Sequence, residues 1–116
     1  MTPLHNSIQL AASDIPIQAT ITSTVIDLKD CNVVFQVYNS AKQQVANYSV
    51  ESNNLTLKTN TNSRLVIVGA IPGSITRGWK GVYDYRWVLY PTGGGTIYTR
   101  AYEGSFTVQQ SKLPPL

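Results

Sequence analysis

The sequence predicts an all-β domain, and three observations predict it. Short runs of alternating apolar and polar residues recur along the chain, each bounded by turn-forming residues. Only 13% of the 116 residues are charged, and Leu, Ala, Glu and Lys do not cluster as they would on helices. Gly, Pro, Ser, Thr and Asn are plentiful. The length suits one hydrophobic core and not two.

The elements follow in order. "IPIQATITSTVI" (15–26) sets Ile15, Ile17, Ala19 and Ile21 on one side and Gln18, Thr20 and Thr22 on the other. "DLKDCN" (27–32) interrupts it with residues whose side chains bond to their own backbone in turns. "VVFQVY" (33–38) alternates again, "NSAKQ" turns, and "QVANYSV" (44–50) is its hairpin partner. "NLTLKT" (54–59) and "SRLVIVGAI" (63–71) form the next pair, divided by "NTNS". "PGSITRGWKG" (72–81) is the longest break and has room for one helical turn. "VYDYRWVLY" (82–90), "PTGGG" (91–95) and "TIYTRAYEGSFTVQ" (96–109) close the chain as a hairpin, with Gly104 expected to mark a bulge or bend. Residues 1–14 are expected to form an N-terminal arm or extension, and residues 110–116, which hold two prolines, a C-terminal tail. Seven or eight strands in residues 15–109 are the arithmetic of an immunoglobulin-like antiparallel β-sandwich, here without the Cys–Trp–Cys arrangement of antibody domains.

Composition narrows the chemistry. The net charge of +3 is spread along the chain, and its densest basic run, "TRGWKG", is too sparse for a phosphate-tracking stripe. No nucleic-acid partner is expected. Cys31 is the single cysteine and His5 the single histidine, so neither a disulfide nor an ordinary zinc site is expected within the chain. Residues 1–30 lack a signal-peptide pattern, and no run is long enough to span a membrane, so synthesis in a cytoplasm and no membrane partner are expected.

Catalytic patterns are missing as well. His5 has no Ser or Asp constellation, and "GGG" is followed by neither a helix nor a lysine. Asp14, Asp27 and Asp30 fall in turns, where capping is their expected role. In "VYDYRWVLY", Tyr83, Tyr85, Trp87 and Leu89 share one strand face and are expected in or beside the core. Asp84 and Arg86 share the other, where ion pairs across the sheet are expected, as for Arg100 and Glu103. No catalytic residue and no cofactor is expected. Arg77, Trp79, Lys80 and Tyr90 are the candidate partner contacts. A sugar-stacking platform built on Tyr83, Tyr90 or Trp79 is the alternative use of the aromatic residues.

Two segments carry a family resemblance. "IDLKDCNVVFQVYNSAKQQV" and "KGVYDYRWVLYPTGGGTIYTRAYEGSFTV" resemble the opening and closing phrases of small virion structural proteins of tailed phages and prophages. The same layout occurs in the N-terminal domain of phage upper baseplate proteins. The matching positions are Asp27, Leu28, Val33, Phe35 and Val37, then Gly81, Tyr83, Tyr85, Leu89, Thr99, Arg100, Glu103, Gly104, Phe106, Thr107 and Val108. Trp87 stands where that family commonly has Leu, Lys29-Asp30 replaces a Thr-Gly turn, and the 72–81 loop is longer and more basic. The resemblance implies an Ig-like assembly module of the tail, baseplate or tail-fibre attachment region. It would be oligomeric in the virion, assembled in the host cytoplasm, with other virion proteins as partners. Capsid decoration or cementing is the second reading, and carbohydrate binding the third.

Overall fold

The computed structural model describes residues 4–24, 27–90 and 99–110, and for residues 99–101 the backbone alone. Eight strands and one helical turn follow in the order β1 (Ile8–Leu10), β2 (Ile15–Thr22), β3 (Asn32–Tyr38), β4 (Gln44–Ser49), β5 (Thr56–Asn60), β6 (Arg64–Ile71), α1 (Gly73–Thr76), β7 (Gly81–Tyr90) and β8 (Thr99–Gln109). They form a five-stranded sheet ordered β1-β8-β7-β3-β4 and a three-stranded sheet ordered β2-β6-β5. This is an immunoglobulin-like β-sandwich, because the third, seventh and eighth strands share one sheet while the second, fifth and sixth share the other. All pairings are antiparallel except that of β1 with β8.

Strict alternation explains why the two sheets adhere. On β2, Ile15, Ile17, Ala19 and Ile21 are buried while Pro16, Gln18 and Thr22 are exposed. Across it in register, β6 contributes Leu65, Ile67 and Ile71 to the same layer. The larger sheet answers with Val33, Phe35 and Val37 from β3, Trp87 and Leu89 from β7, and Phe106 and Val108 from β8. Phe35 sits at the middle of this layer, its ring centroid 4.6 Å from Trp87 and 5.6 Å from Tyr85. Burying each such side chain stabilises the sandwich by roughly 1.5–3 kcal/mol. Cys31 is buried, its Sγ donates to the Asp27 carbonyl, and as the single cysteine it forms no disulfide within the chain, so apolar packing joins the two sheets.

Two expectations are corrected. Residues 4–14 are not an arm standing apart from the domain. Ile8, Gln9 and Leu10 pair with Thr107, Val108 and Gln109, and Asn6 N–H donates to the Ser105 carbonyl. Three residues were too short a run to show a period of two. The second correction concerns Gly104. The register of β8 slips between Trp87 and Val88, whose partners are Tyr102 and Arg100, so the extra residue is Ala101. Gly104 lies in regular pairing opposite Tyr85. The "GGG" turn and the tail residues 111–116 lie outside the described residues.

Candidate functional site

The loop that supplies Arg77, Trp79 and Lys80 is pinned to the bend before β2. Gly73 N–H donates to Asp14 Oδ1 at 2.7 Å, so this aspartate caps α1 from 59 positions away. The fully buried Thr76 donates from Oγ1 to the Ser13 carbonyl at 3.1 Å. A Cβ on Gly73 would meet the Ala12 carbonyl oxygen at 2.6 Å, which is why the closest point of this docking is a glycine.

Trp79 is consequently an inward residue. It is only 7% exposed and stacks on Tyr83 with centroids 4.7 Å apart. The Tyr83 hydroxyl accepts the Lys80 backbone N–H at 2.9 Å, and Gln110 Nε2 donates to the Trp79 carbonyl at 2.9 Å. Trp79 as a partner contact is therefore corrected: its ring roofs one end of the core. The same burial removes Trp79 and Tyr83 as faces on which a sugar could stack. Arg77 and Lys80 are exposed beside it, and Tyr90 is half-buried at the far end of β7. Nine strand residues, 81–89, lie between Lys80 and Tyr90, roughly 30 Å of chain. The candidate contacts do not form one surface.

A different surface does. The outer face of the five-stranded sheet is laid out in rows by the register of β3, β7 and β8. Ile8, Thr107 and Val82 form one row, and Ile8 and Val82 are 66% and 56% exposed. Leu10, two residues on from Ile8 along β1, is 53% exposed. The next row holds Tyr38, Asp84 and Ser105, and the one after it Gln36, Arg86 and Glu103. An apolar border thus adjoins a polar centre on one face.

In that centre Asp84 and Arg86 do not pair with each other. Asp84 Oδ2 takes the Lys42 ammonium at 3.3 Å, brought over by the β3–β4 turn. Arg86 donates from Nε to Gln36 Oε1 at 2.6 Å and from Nη2 to the Tyr38 hydroxyl at 2.9 Å. The Tyr38 hydroxyl lies 3.3 Å from both Gln36 Oε1 and Gln44 Oε1 and can donate to either. The guanidinium carbon stands 5.2 Å from the Tyr38 ring centroid, a cation–π distance. Tyr38, Lys42, Asp84, Tyr85 and Arg86 line a shallow cleft of about 290 Å³ here.

The sequence placed Asp84 and Arg86 on this face but left Tyr38, Gln36 and Lys42 out. Gln36 and Tyr38 alternate outward on β3, which was readable; the register that sets them opposite Arg86 was not. Burial raises the Tyr85 and Tyr48 hydroxyls above their ordinary value, so both stay neutral under physiological conditions. Among the described residues no three His, Cys, Asp or Glu side chains converge as metal ligands, and no helix is long and apolar enough to cross a membrane.

No protein-family model and no curated protein matches the sequence. Among solved structures, a chain from a study of the multimeric cell-adhesive interactions of VGSC beta subunits is similar at 12% identity and a TM-score of 0.41, covering 93% of this chain and 92% of its own.

Proposed function

We propose that this protein is a non-enzymatic docking module of a tailed-phage virion, working in the tail, baseplate or tail-fibre attachment region as an oligomer assembled in the host cytoplasm. The observation that carries docking is the outer face of the five-stranded sheet, where Ile8, Leu10 and Val82 keep more than half of their surface in water. Large apolar side chains grouped beside a polar centre mark a surface that gains free energy when a partner covers it.

The virion assignment is supported by the resemblance of the opening and closing strands to phage structural proteins. One of its departures has a structural counterpart. Asp30, which replaces the glycine of the Thr-Gly turn, adopts φ 61°, the left-handed conformation that glycine supplies without strain.

Cryo-EM of purified particles, with this chain located in the density, tests the reading. The expected result is density in the tail or baseplate with the β1 and β7 side of the larger sheet against a neighbour. Density on the capsid surface would instead give the decoration reading. Particles lacking the chain, or copies whose outer sheet face meets only solvent, would overturn the docking role.

A further inference from the structure

We infer that the outer edge of β2 pairs with the β2 of a second copy of this chain, joining two three-stranded sheets across a two-fold axis at Thr20. This rests on the oligomer of the reading above and gives it a surface, on the other sheet from the docking face.

The ladder decides which backbone groups β2 leaves open. Among the described residues its one neighbouring strand is β6. Ser23 N–H donates to the Ser63 carbonyl, in the register that sets Ile15 opposite Ile71. Bonded and non-bonded pairs alternate along an antiparallel ladder, so the odd-numbered residues of β2 spend their N–H and C=O groups on β6. Those of Gln18, Thr20 and Thr22 point to the open side. The Tyr102 hydroxyl agrees, since it reaches from β8 to donate to the Thr20 carbonyl, which keeps a second lone pair. Pro16 also falls on the open side, where its missing N–H costs the β2–β6 ladder nothing.

A row of alternating donors and acceptors is completed by another extended backbone. Comparison of the four sheet edges points to the chain's own copy. β1 has three residues; β5 carries the exposed Lys58 and a register shift. β4 also has a shift, and its Ser49 carbonyl is taken by the N–H groups of Asn54 and Leu55. β2 has eight residues in unbroken register and no charge among them. A two-fold axis brings each edge against itself, which repels a charged edge and not this one. Centred on Thr20, the pairing sets threonine against threonine, a favourable cross-strand pair. Gln18 then faces Thr22 of the second copy, and each pair exchanges bonds in both directions. Centring on Ala19 instead would set Pro16 opposite Thr22 and lose a donor, so the proline selects the register.

The test is amide exchange of the whole ¹⁵N-labelled chain, read by NMR from about 50 μM to about 1 mM, with sedimentation equilibrium on the same samples. We expect a monomer–dimer equilibrium in which the Gln18, Thr20 and Thr22 amides gain protection with concentration. Ala19 and Ile21, bonded to β6, should be protected throughout. Thr20→Pro removes an open-side donor at the axis and should raise the dimer dissociation constant about tenfold. Gln18→Lys with Thr22→Lys sets lysine against lysine on exposed positions and should weaken the dimer without touching the ladder to β6. Gln18→Lys with Thr22→Glu sets opposite charges together in the same register and should restore it. Equal affinity of these two double variants, or a dimer whose Gln18, Thr20 and Thr22 amides exchange as in the monomer, would overturn the pairing. A chain monomeric throughout would overturn the second copy as occupant, and protection of those amides only on adding another virion protein would give the edge to that protein. Each of these outcomes leaves the outer face of the larger sheet and its cryo-EM test standing, so the two readings fail separately.

Discussion

Gly104 lies directly across from Tyr85, and the tyrosine ring folds over it. A Cβ built on Gly104 would come within 2.7 Å of the Tyr85 hydroxyl and 2.6 Å of His5 Nδ1. The ring has little room to retreat, since it packs between Phe35 and Phe106. The same glycine lets His5 approach closely enough to accept the Ser105 N–H at 3.2 Å, which helps seat the segment before β1. Gly104→Ala should therefore cost about 1–3 kcal/mol in urea unfolding, the range for overpacking. Amide exchange at Asn6 and at Ile8–Leu10 should accelerate in the variant more than exchange in β2. Unchanged protection there would show that His5 and β1 do not depend on this close approach.

Trp79 gives the strongest test of what the 72–81 loop is for. Its ring is buried against Tyr83, and its carbonyl and the neighbouring N–H are bonded to Gln110 and Tyr83. Trp79→Ala should destabilise the domain by about 3–5 kcal/mol, a large share of the roughly 5–15 kcal/mol available to a domain of this kind. Trp79→Phe should recover much of that. Arg77→Ala and Lys80→Ala, both on exposed side chains, should leave the unfolding midpoint within about 0.5 kcal/mol of wild type. A Trp79→Ala chain as stable as wild type would return the ring to the surface.

The contrast between Trp79 and Arg86 shows what the sequence made legible. Strand identities and the core came through because alternation is a local signal: Ile15, Ile17, Ala19 and Ile21 are buried as their period requires, and Trp87 and Leu89 lie in the core with Phe35. The loop around Trp79 has no period, and its burial depends on Asp14 and Thr76, which bridge 59 and 63 positions. The cleft was half legible. Alternation put Asp84 and Arg86 on the outer face, but their partners Lys42, Gln36 and Tyr38 arrive through a register fixed by the whole sheet. β1 was missed because three residues paired in parallel to a distant strand leave no pattern of their own.

Tyr48 and Tyr85 make stability depend on alkaline pH in a definite direction. Burial raises both hydroxyls above 10.0 in the folded chain, while the unfolded chain ionises near the ordinary value. Between those limits the unfolded state has released protons that the native state retains, so stability falls as pH rises. The contribution is fully present below the unfolded value and is lost through the window above about pH 10. Tyr85→Phe and Tyr48→Phe should each flatten the decline of melting temperature measured from about pH 9 to about pH 12. Identical slopes in wild type and both variants would remove these two groups as the cause.

Asp30 tests how the turn before β3 is held. Its φ of 61° is left-handed, and it shares two hydrogen bonds with Asn60 on β5: the Asp30 N–H donates to Asn60 Oδ1 at 2.9 Å, and Asn60 Nδ2 donates to Asp30 Oδ1 at 2.8 Å. Asp30→Ala and Asp30→Gly both lose the carboxylate acceptor, so their difference isolates the backbone. Alanine carries a penalty of about 1–2 kcal/mol in this region, and glycine carries none but loses more freedom on folding. The balance should leave the glycine variant more stable than the alanine variant by about 0.5–1 kcal/mol in urea unfolding. Asn60→Ala removes both bonds of the pair, including the Asp30 N–H bond that Asp30→Gly keeps, and should cost more than Asp30→Gly. Equal stability of the alanine and glycine variants would mean that the turn relaxes out of the left-handed conformation once the carboxylate is gone. The Asn60 bonds, rather than the backbone of the turn, would then be what holds residue 30 in place.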